Sequence, residues 1–243
     1  MTSDEPYRWL EAVANRREYI RDQLRGATPV FAFSRPEGIL LFGVGSGKSK
    51  VFEIYDRQAF AALGHPVDIE KVRQTVIEAA HVEGFTRAPE DVTIRRLLNF
   101  SLGPALKTSF ETIFSAPLML ECVLAELGGT PETDALARVG FDGSYRFETG
   151  GFTVVHTSPA DETAASDWLR GQIKKDSSLG QVARLALATW RALTTGKAFA
   201  PPSDAEGEKP LEPIDGKSSE WALLDRKTTN RIRYRSLSQT DLT

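Results

Sequence analysis

Residues 29–64 read PVFAFSRPEGILLFGVGSGKSKVFEIYDRQAFAALG. Four short apolar runs lie within them, at 29–33, 38–42, 51–55 and 60–64. The first two flank Ser34-Arg35-Pro36-Glu37-Gly38, a turn composition that predicts a β-hairpin. The third alternates Val51, Glu53 and Tyr55 against Phe52 and Ile54, the period of a strand, and it follows the glycine-rich turn 43–47. The fourth, Phe60-Ala61-Ala62-Leu63-Gly64, suits a buried strand that ends at Gly64. An antiparallel sheet therefore forms early in the chain.

Upstream, residues 4–25 predict an amphipathic helix. Ser3 or Asp4 can cap it, Pro6 sits in its first turn, and Gly26 stops it. Leu10, Val13, Ile20 and Leu24 share a face with Arg17 in the gap, while Arg8, Arg16, Arg17, Arg21 and Arg25 give a basic remainder. Downstream, Asp68 is read as the cap of a helix carrying Ile69, Val72, Val76, Ala79 and Ala80. Pro89-Glu90-Asp91 opens a second, running through Ile94, Leu97, Leu98, Leu102, Leu106, Phe110, Ile113 and Phe114, and Pro104 should kink or interrupt it. Strands are expected at 118–127, 135–141, 145–147 and 152–156, with Asp142-Gly143 as a tight hairpin turn. Helices follow at 162–174 and 179–193. Residues 196–219, rich in Pro, Gly, Asp and Glu, are read as a mobile loop, and strands at 221–224 and 232–237 close the chain. Strands and helices come in blocks, which argues for an α+β fold of stacked layers rather than alternating βαβ units.

Composition narrows the function. With 41% hydrophobic and 26% charged residues the chain is globular, and 243 residues suffice for a full core. Thirty Lys+Arg against thirty-three Asp+Glu leave a net charge of -3, so the basic excess of a nucleic-acid binder is missing. The single cysteine, Cys122, allows neither a disulfide framework nor a CxxC metal pair, and reads as a buried thiol in a reducing compartment. No signal-like apolar core opens the sequence, and no run reaches the ~18 residues of a membrane span. The expectation is a soluble, cytoplasmic protein with no membrane or nucleic-acid partner.

Four sequence features bear on chemistry. The string ILLFGVGSGKSK resembles a phosphate-binding loop, with Gly47-Lys48-Ser49 at its end. The motif needs its first glycine at position 42, which is Phe42, and a helix after the Lys-Ser, where residues 51–55 alternate like a strand. A P-loop-like nucleotide binder therefore stays a secondary alternative. His65, His81 and His156 are scattered without metal-ligand spacing, so no metal or cofactor is expected. No GxSxG elbow lies between a strand and a helix. Arg231, Arg233 and Arg235 alternate as on an exposed edge strand.

The ordered set of segments resembles a family. Lys50-Val-Phe-Glu-Ile-Tyr-Asp-Arg57 and Phe60-Ala-Ala-Leu-Gly64 are followed by Asp91-Val-Thr-Ile-Arg-Arg-Leu97 and Leu120-Glu-Cys-Val-Leu-Ala-Glu126. From residue 6 to about residue 195, and weakly beyond, this is similar to proteasome core-particle subunits of the α type, closest to the bacterial ones. The resemblance implies the four-layer αββα sandwich of the N-terminal nucleophile hydrolases with an added N-terminal helix. It also implies a ring of seven α subunits stacked on β subunits.

Residue by residue, it places Thr28 where catalytic members carry the nucleophile, Lys50 at their strand lysine, and Val44 at or near the aspartate that orients that lysine. Nothing acidic lies between Glu37 and Glu53, and Thr28 follows a well-formed helix rather than a propeptide. The resemblance therefore implies a non-catalytic subunit, with a threonine peptidase processed at Thr28 as the alternative. It further implies a pore or gate tail at 1–5, an outer-face helix at 6–25 and the sandwich from 26 to 243. Lys50 would receive the C-terminal carboxylate of a ring-shaped ATPase activator. Unfolded protein would be the substrate in transit.

Overall fold

Val30, Ala32, Ile39 and Leu41 face one side of a sheet and Phe31, Phe33, Leu40 and Phe42 the other, and all are buried. A sheet covered on both faces demands a layer on each side of it. The computed structural model describes residues 5–45, 47–202 and 217–242, and supplies both layers. The order is α1 (Glu5–Leu24), β1 (Val30–Arg35), β2 (Gly38–Gly45), β3 (Val51–Tyr55), β4 (Gln58–Gly64) and α2 (Pro66–Thr86). Then come α3 (Ile94–Leu97), a π-helical turn (Leu98–Leu102), α4 (Gly103–Glu111), β5 (Leu120–Glu126), β6 (Ala135–Val139), β7 (Tyr145–Phe147) and β8 (Phe152–Val155). The chain continues with α5 (Pro159–Gln172), α6 (Leu179–Thr195), β9 (Ser218–Asp225) and β10 (Tyr234–Leu237). The Met1–Asp4 part of the proposed tail, with the Ser3 or Asp4 cap, and residues 203–216 of the proposed mobile loop lie outside the described residues.

The strands form two antiparallel sheets, β10-β9-β2-β1-β8 and β3-β4-β5-β6-β7. Three cores separate four layers. Phe31, Phe33, Phe42, Trp221 and Leu223 pack against Ala165, Leu169, Ala186 and Trp190 of α5 and α6. Between the sheets the residues are small: Ala32, Ala59, Ala61, Ala125 and Ala222 allow the two sheets to close on each other. Phe60, Ala62, Leu124 and Val139 pack on the far side against Ile69, Val76, Leu98 and Leu106 of the α2–α4 block. This is the expected αββα sandwich. Cys122 is a buried, unpaired part of that last core.

Several local expectations are corrected. Asp68 does not cap α2: His65 precedes the helix without a side-chain cap bond, and Asp68 in the first turn accepts from the Met119 N–H at 3.1 Å. Pro89-Glu90-Asp91 forms only a 3-10 turn, and the helix starts at Ile94, where Thr93 accepts from the Arg96 N–H. Pro104, by contrast, behaves as expected: the helical run is interrupted by the π turn at Leu98–Leu102 directly before it, and the proline falls in the first turn of α4. Asp142-Gly143 lies in a five-residue connection rather than a two-residue turn, because Asp142 accepts from the Ser144 N–H and from Arg17. The final strand starts at Tyr234, so Arg231 and Arg233 precede it. Arg231 pairs with Asp56 at 2.5 Å, and only Arg235 lies on the edge strand.

The basic remainder of α1 is also corrected. Arg16 is buried, and its guanidinium donates to the carbonyl oxygens of Ser109, Ile113 and Ser115 at 2.9, 3.1 and 2.9 Å. Ser109 lies in the last turn of α4, and Ile113 and Ser115 lie just beyond it, where helix geometry leaves acceptors without partners. Ile20 and Leu24 complete the attachment by entering the inter-sheet core. A second buried network joins the layers elsewhere: Arg138 on β6 donates to Glu121 on β5 at 2.8 Å and to Glu162 on α5 at 2.9 Å.

Candidate functional site

At one end of the inter-sheet core, three adjacent strands bring unlike residues together. In β2, Ile39 and Leu41 face the other sheet, and so does Gly43 by the two-residue period. In β9, Ala222 and Leu224 set the same face for Glu220, which pairs with Gly43 in register. In β1, Val30 also pairs with Gly43, and Thr28 lies two residues upstream. The absence of a side chain at Gly43 decides what fills the space. A Cβ there would stand 3.2 Å from Lys50 Cβ and 3.6 Å from its Cδ, so the lysine stem passes directly over the glycine.

Lys50 therefore points inward. Its Nζ lies 2.5 Å from Thr28 Oγ1 and 3.0 Å from the Thr28 carbonyl oxygen. The threonine hydroxyl donates in turn to the Val44 carbonyl at 2.7 Å. Glu220 holds the other end of the lysine: its Oε2 accepts from the Lys50 N–H at 2.8 Å and from the Val51 N–H at 3.3 Å. Burial lowers the Lys50 pKa to about 8, with Glu220 opposing and Lys217 adding to that effect. Burial likewise raises the Glu220 carboxyl, against the two backbone N–H bonds and the lysine charge.

The residues singled out from sequence are placed as follows. Thr28 and Lys50 meet. Val44, at the expected aspartate position, is an apolar member of the core beneath α5 and α6. No acid lies between Glu37 and Glu53, and the fold supplies one from 170 positions later in the chain, Glu220. Its signal was present: an acid on the inward parity of Ala222 and Leu224. The phosphate-loop look-alike is a strand–turn–strand. Its glycines make room, Gly43 for the lysine and Gly45 because a Cβ would come within 2.5 Å of the Lys48 carbonyl. β3 follows the Lys48-Ser49 pair, so no helix begins there as the motif requires. Lys48 lines an open groove with Phe52, Val67 and Lys71 instead.

The histidines do not converge: His65 precedes α2, His81 bonds the Ile77 carbonyl on α2, and His156 follows β8. Among the described residues no group of His, Cys, Asp or Glu is arranged to hold a metal. Chemically, a lysine against a threonine hydroxyl is part of a nucleophile's surroundings. Here the Thr28 nitrogen is committed to a peptide bond and cannot serve as a base. As it stands, the cluster is a largely buried lysine whose Nζ is held by the two oxygens of Thr28.

A chain covering nearly the full length of its relatives fixes the family. The sequence is 33% identical over 230 residues to the proteasome subunit alpha of Kineococcus radiotolerans, covering 94% of this chain and 91% of that protein. The chain belongs to the proteasome subunit alpha family. Its similarity to the proteasome subunits alpha of Pseudarthrobacter chlorophenolicus and Streptomyces scabiei is of the same order. Identity is 31% over 96% of this chain and 94% of the relative in the first case, and 29% over 93% and 85% in the second. No protein-family model matches the chain. As a proteasome alpha-type subunit it carries the expected sandwich and N-terminal helix, and among the described residues no helix is long and apolar enough to cross a membrane.

Proposed function

We propose that this chain is a catalytically silent α subunit that forms the outer ring of a proteasome core particle in the cytoplasm. The ring admits unfolded polypeptide to a chamber lined by β subunits and docks a ring-shaped ATPase, whose C-terminal carboxylate pairs with Lys50. The observation that carries the silent role is the continuity of the chain through Thr28. Ala27 donates its N–H to the Leu24 carbonyl at 2.9 Å, and α1 is anchored by Arg16, Ile20 and Leu24, so the segment before Thr28 is a packed part of the fold. The Lys50–Thr28 contact favours a second reading, a threonine peptidase released by cleavage between Ala27 and Thr28.

Co-expression of the full chain with a proteasome β subunit, followed by native and intact-chain mass measurement, separates the two. The silent role requires heptameric rings in which this chain begins upstream of Thr28. A chain beginning at Thr28 would establish the peptidase.

A further inference from the structure

The 2.8 and 3.3 Å bonds from the Lys50 and Val51 N–H groups end on one carboxylate oxygen of Glu220, so a single side chain fixes the backbone from which the lysine departs. The stem then crosses Gly43 to Thr28, whose two oxygens occupy two of the three ammonium donors. The charged groups that act on Lys50 are Glu220 on β9 and Lys217 just before it, whereas the segment leading into β1 contributes Thr28 and β2 contributes Gly43, both uncharged. A partly buried ammonium next to a second cation needs an opposing charge to remain an ammonium. Among these groups only Glu220 has that sign.

We propose that Glu220 is the positioning residue for Lys50, fixing its backbone and supplying the negative charge that faces the ammonium as an incoming C-terminal carboxylate docks. This rests on the docking role given to Lys50 above. Glu220 touches no partner itself; it acts through Lys50. The same geometry accounts for a half-buried acid near the start of β9, where Ala222 and Leu224 on that face are apolar.

The decisive measurement is the pH profile of trace acetylation at Lys50, read by mass spectrometry on the purified full chain, with Lys48 as internal control. The wild-type midpoint is expected near 8. Glu220→Gln keeps an acceptor oxygen but removes the charge, and should lower that midpoint by roughly one pH unit. Lys48 should not move. Glu220→Asp retains the charge and should stay within a few tenths of a unit of wild type. Equal shifts in both variants, or none in either, would overturn the assignment.

A fluorescein-labelled, alanine-rich octapeptide with a free C-terminal carboxylate is compared with its C-terminal amide as a second readout. Preference for the free acid should be about fivefold weaker in Glu220→Gln than in wild type at pH 8, from the loss of protonated lysine, and should recover at pH 6. A merely structural role would weaken both peptides at both pH values. If the wild-type chain did not prefer the free acid, the docking role of Lys50 would fall, while the acetylation profile would still decide the role of Glu220.

Discussion

Arg16 on α1 and Ile113 beyond α4 are joined by a 3.1 Å hydrogen bond across 97 positions of the chain. With the bonds to Ser109 and Ser115, one guanidinium closes the end of α4 and fastens the N-terminal helix to the sandwich. Its planar fork can reach several carbonyls at once, which a lysine cannot do.

Arg16→Met should therefore destabilise the chain by about 2–4 kcal/mol, because three carbonyls lose the charged donor that a buried guanidinium supplies. At ~2–4 °C per kcal/mol for a chain of this size, the thermal midpoint should fall by roughly 5–15 °C. Arg16→Lys should recover less than half of this. Neighbouring Arg17 is more exposed, pairs with Asp142 at 2.7 Å, and should cost only about 1 kcal/mol when replaced by Ala. Calorimetry on the three variants ranks them; equal losses at both positions would show that Arg16 is not the anchor.

The outer part of α1 makes a different prediction. Trp9 and Leu10 are 50% and 64% exposed, whereas Ile20 and Leu24 further along are buried. Apolar side chains left in water on an otherwise packed helix mark a contact surface. Removal of the whole helix would uncover Ile20 and Leu24 and confuse assembly with folding. Trp9→Ser/Leu10→Ser leaves the anchor intact and should abolish seven-membered rings while the melting temperature stays within a few degrees. Full rings by native mass spectrometry would refute this.

What the sequence could disclose follows from the range of each signal. Short apolar runs in residues 29–64, one of them alternating, identified the strands because the strands there are short and largely buried on both faces. Blocks of elements predicted the layers. Cap chemistry misled at Asp68 because the same carboxylate also suits a tertiary bond to Met119, and no local pattern separates the two. Arg16 lies about 40° around α1 from Ile20, too near the edge of the apolar stripe for periodicity to say whether it is inside. Thr28 and Lys50 came from the resemblance. Glu220 required knowing that β9 would lie beside β2, a pairing between the ends of the chain that no local signal reports.

Thr28 should be chemically quiet. Its hydroxyl donates to Val44, and its nitrogen is acylated by Ala27. Incubation of the assembled chain with a β-lactone, a reagent that acylates activated threonine hydroxyls, should leave its intact mass unchanged while partner β subunits are labelled. An adduct mapped to Thr28 would mean that Lys50 alone can activate it.

Docking should distinguish two lysines two residues apart. Lys50 is held against Thr28, whereas Lys48 borders an open groove. Losing one member of a partly desolvated charge pair typically costs roughly 2–5 kcal/mol, so Lys50→Ala should weaken binding of a ring ATPase to assembled rings by more than tenfold, at ~1.4 kcal/mol per decade. Lys48→Ala should change it by less than about threefold. Equal losses would reduce the effect to general surface charge.

The last prediction concerns what holding this lysine costs the chain. Below about pH 8 Lys50 is an ammonium in both the folded and the unfolded chain, so its burial opposes folding in full. Between about 8 and the ordinary 10.5 the folded chain has released the proton that the unfolded chain still binds, so the opposition fades as pH rises. Above that range both forms are neutral and it is gone. At ~1.4 kcal/mol per pH unit the cost is at most about 3.5 kcal/mol, and the two bonds to Thr28, worth about 1 kcal/mol together, offset part of it. Lys50→Met keeps the stem over Gly43 without the charge. It should stabilise the chain by about 1–2 kcal/mol at pH 7, and that advantage should shrink steadily from pH 8 upward. Denaturant unfolding of both proteins at pH 7, 9 and 10.5 reads the difference directly. A variant less stable than wild type at pH 7, or a difference that grows with pH, would show that the ammonium contributes to the fold instead of straining it.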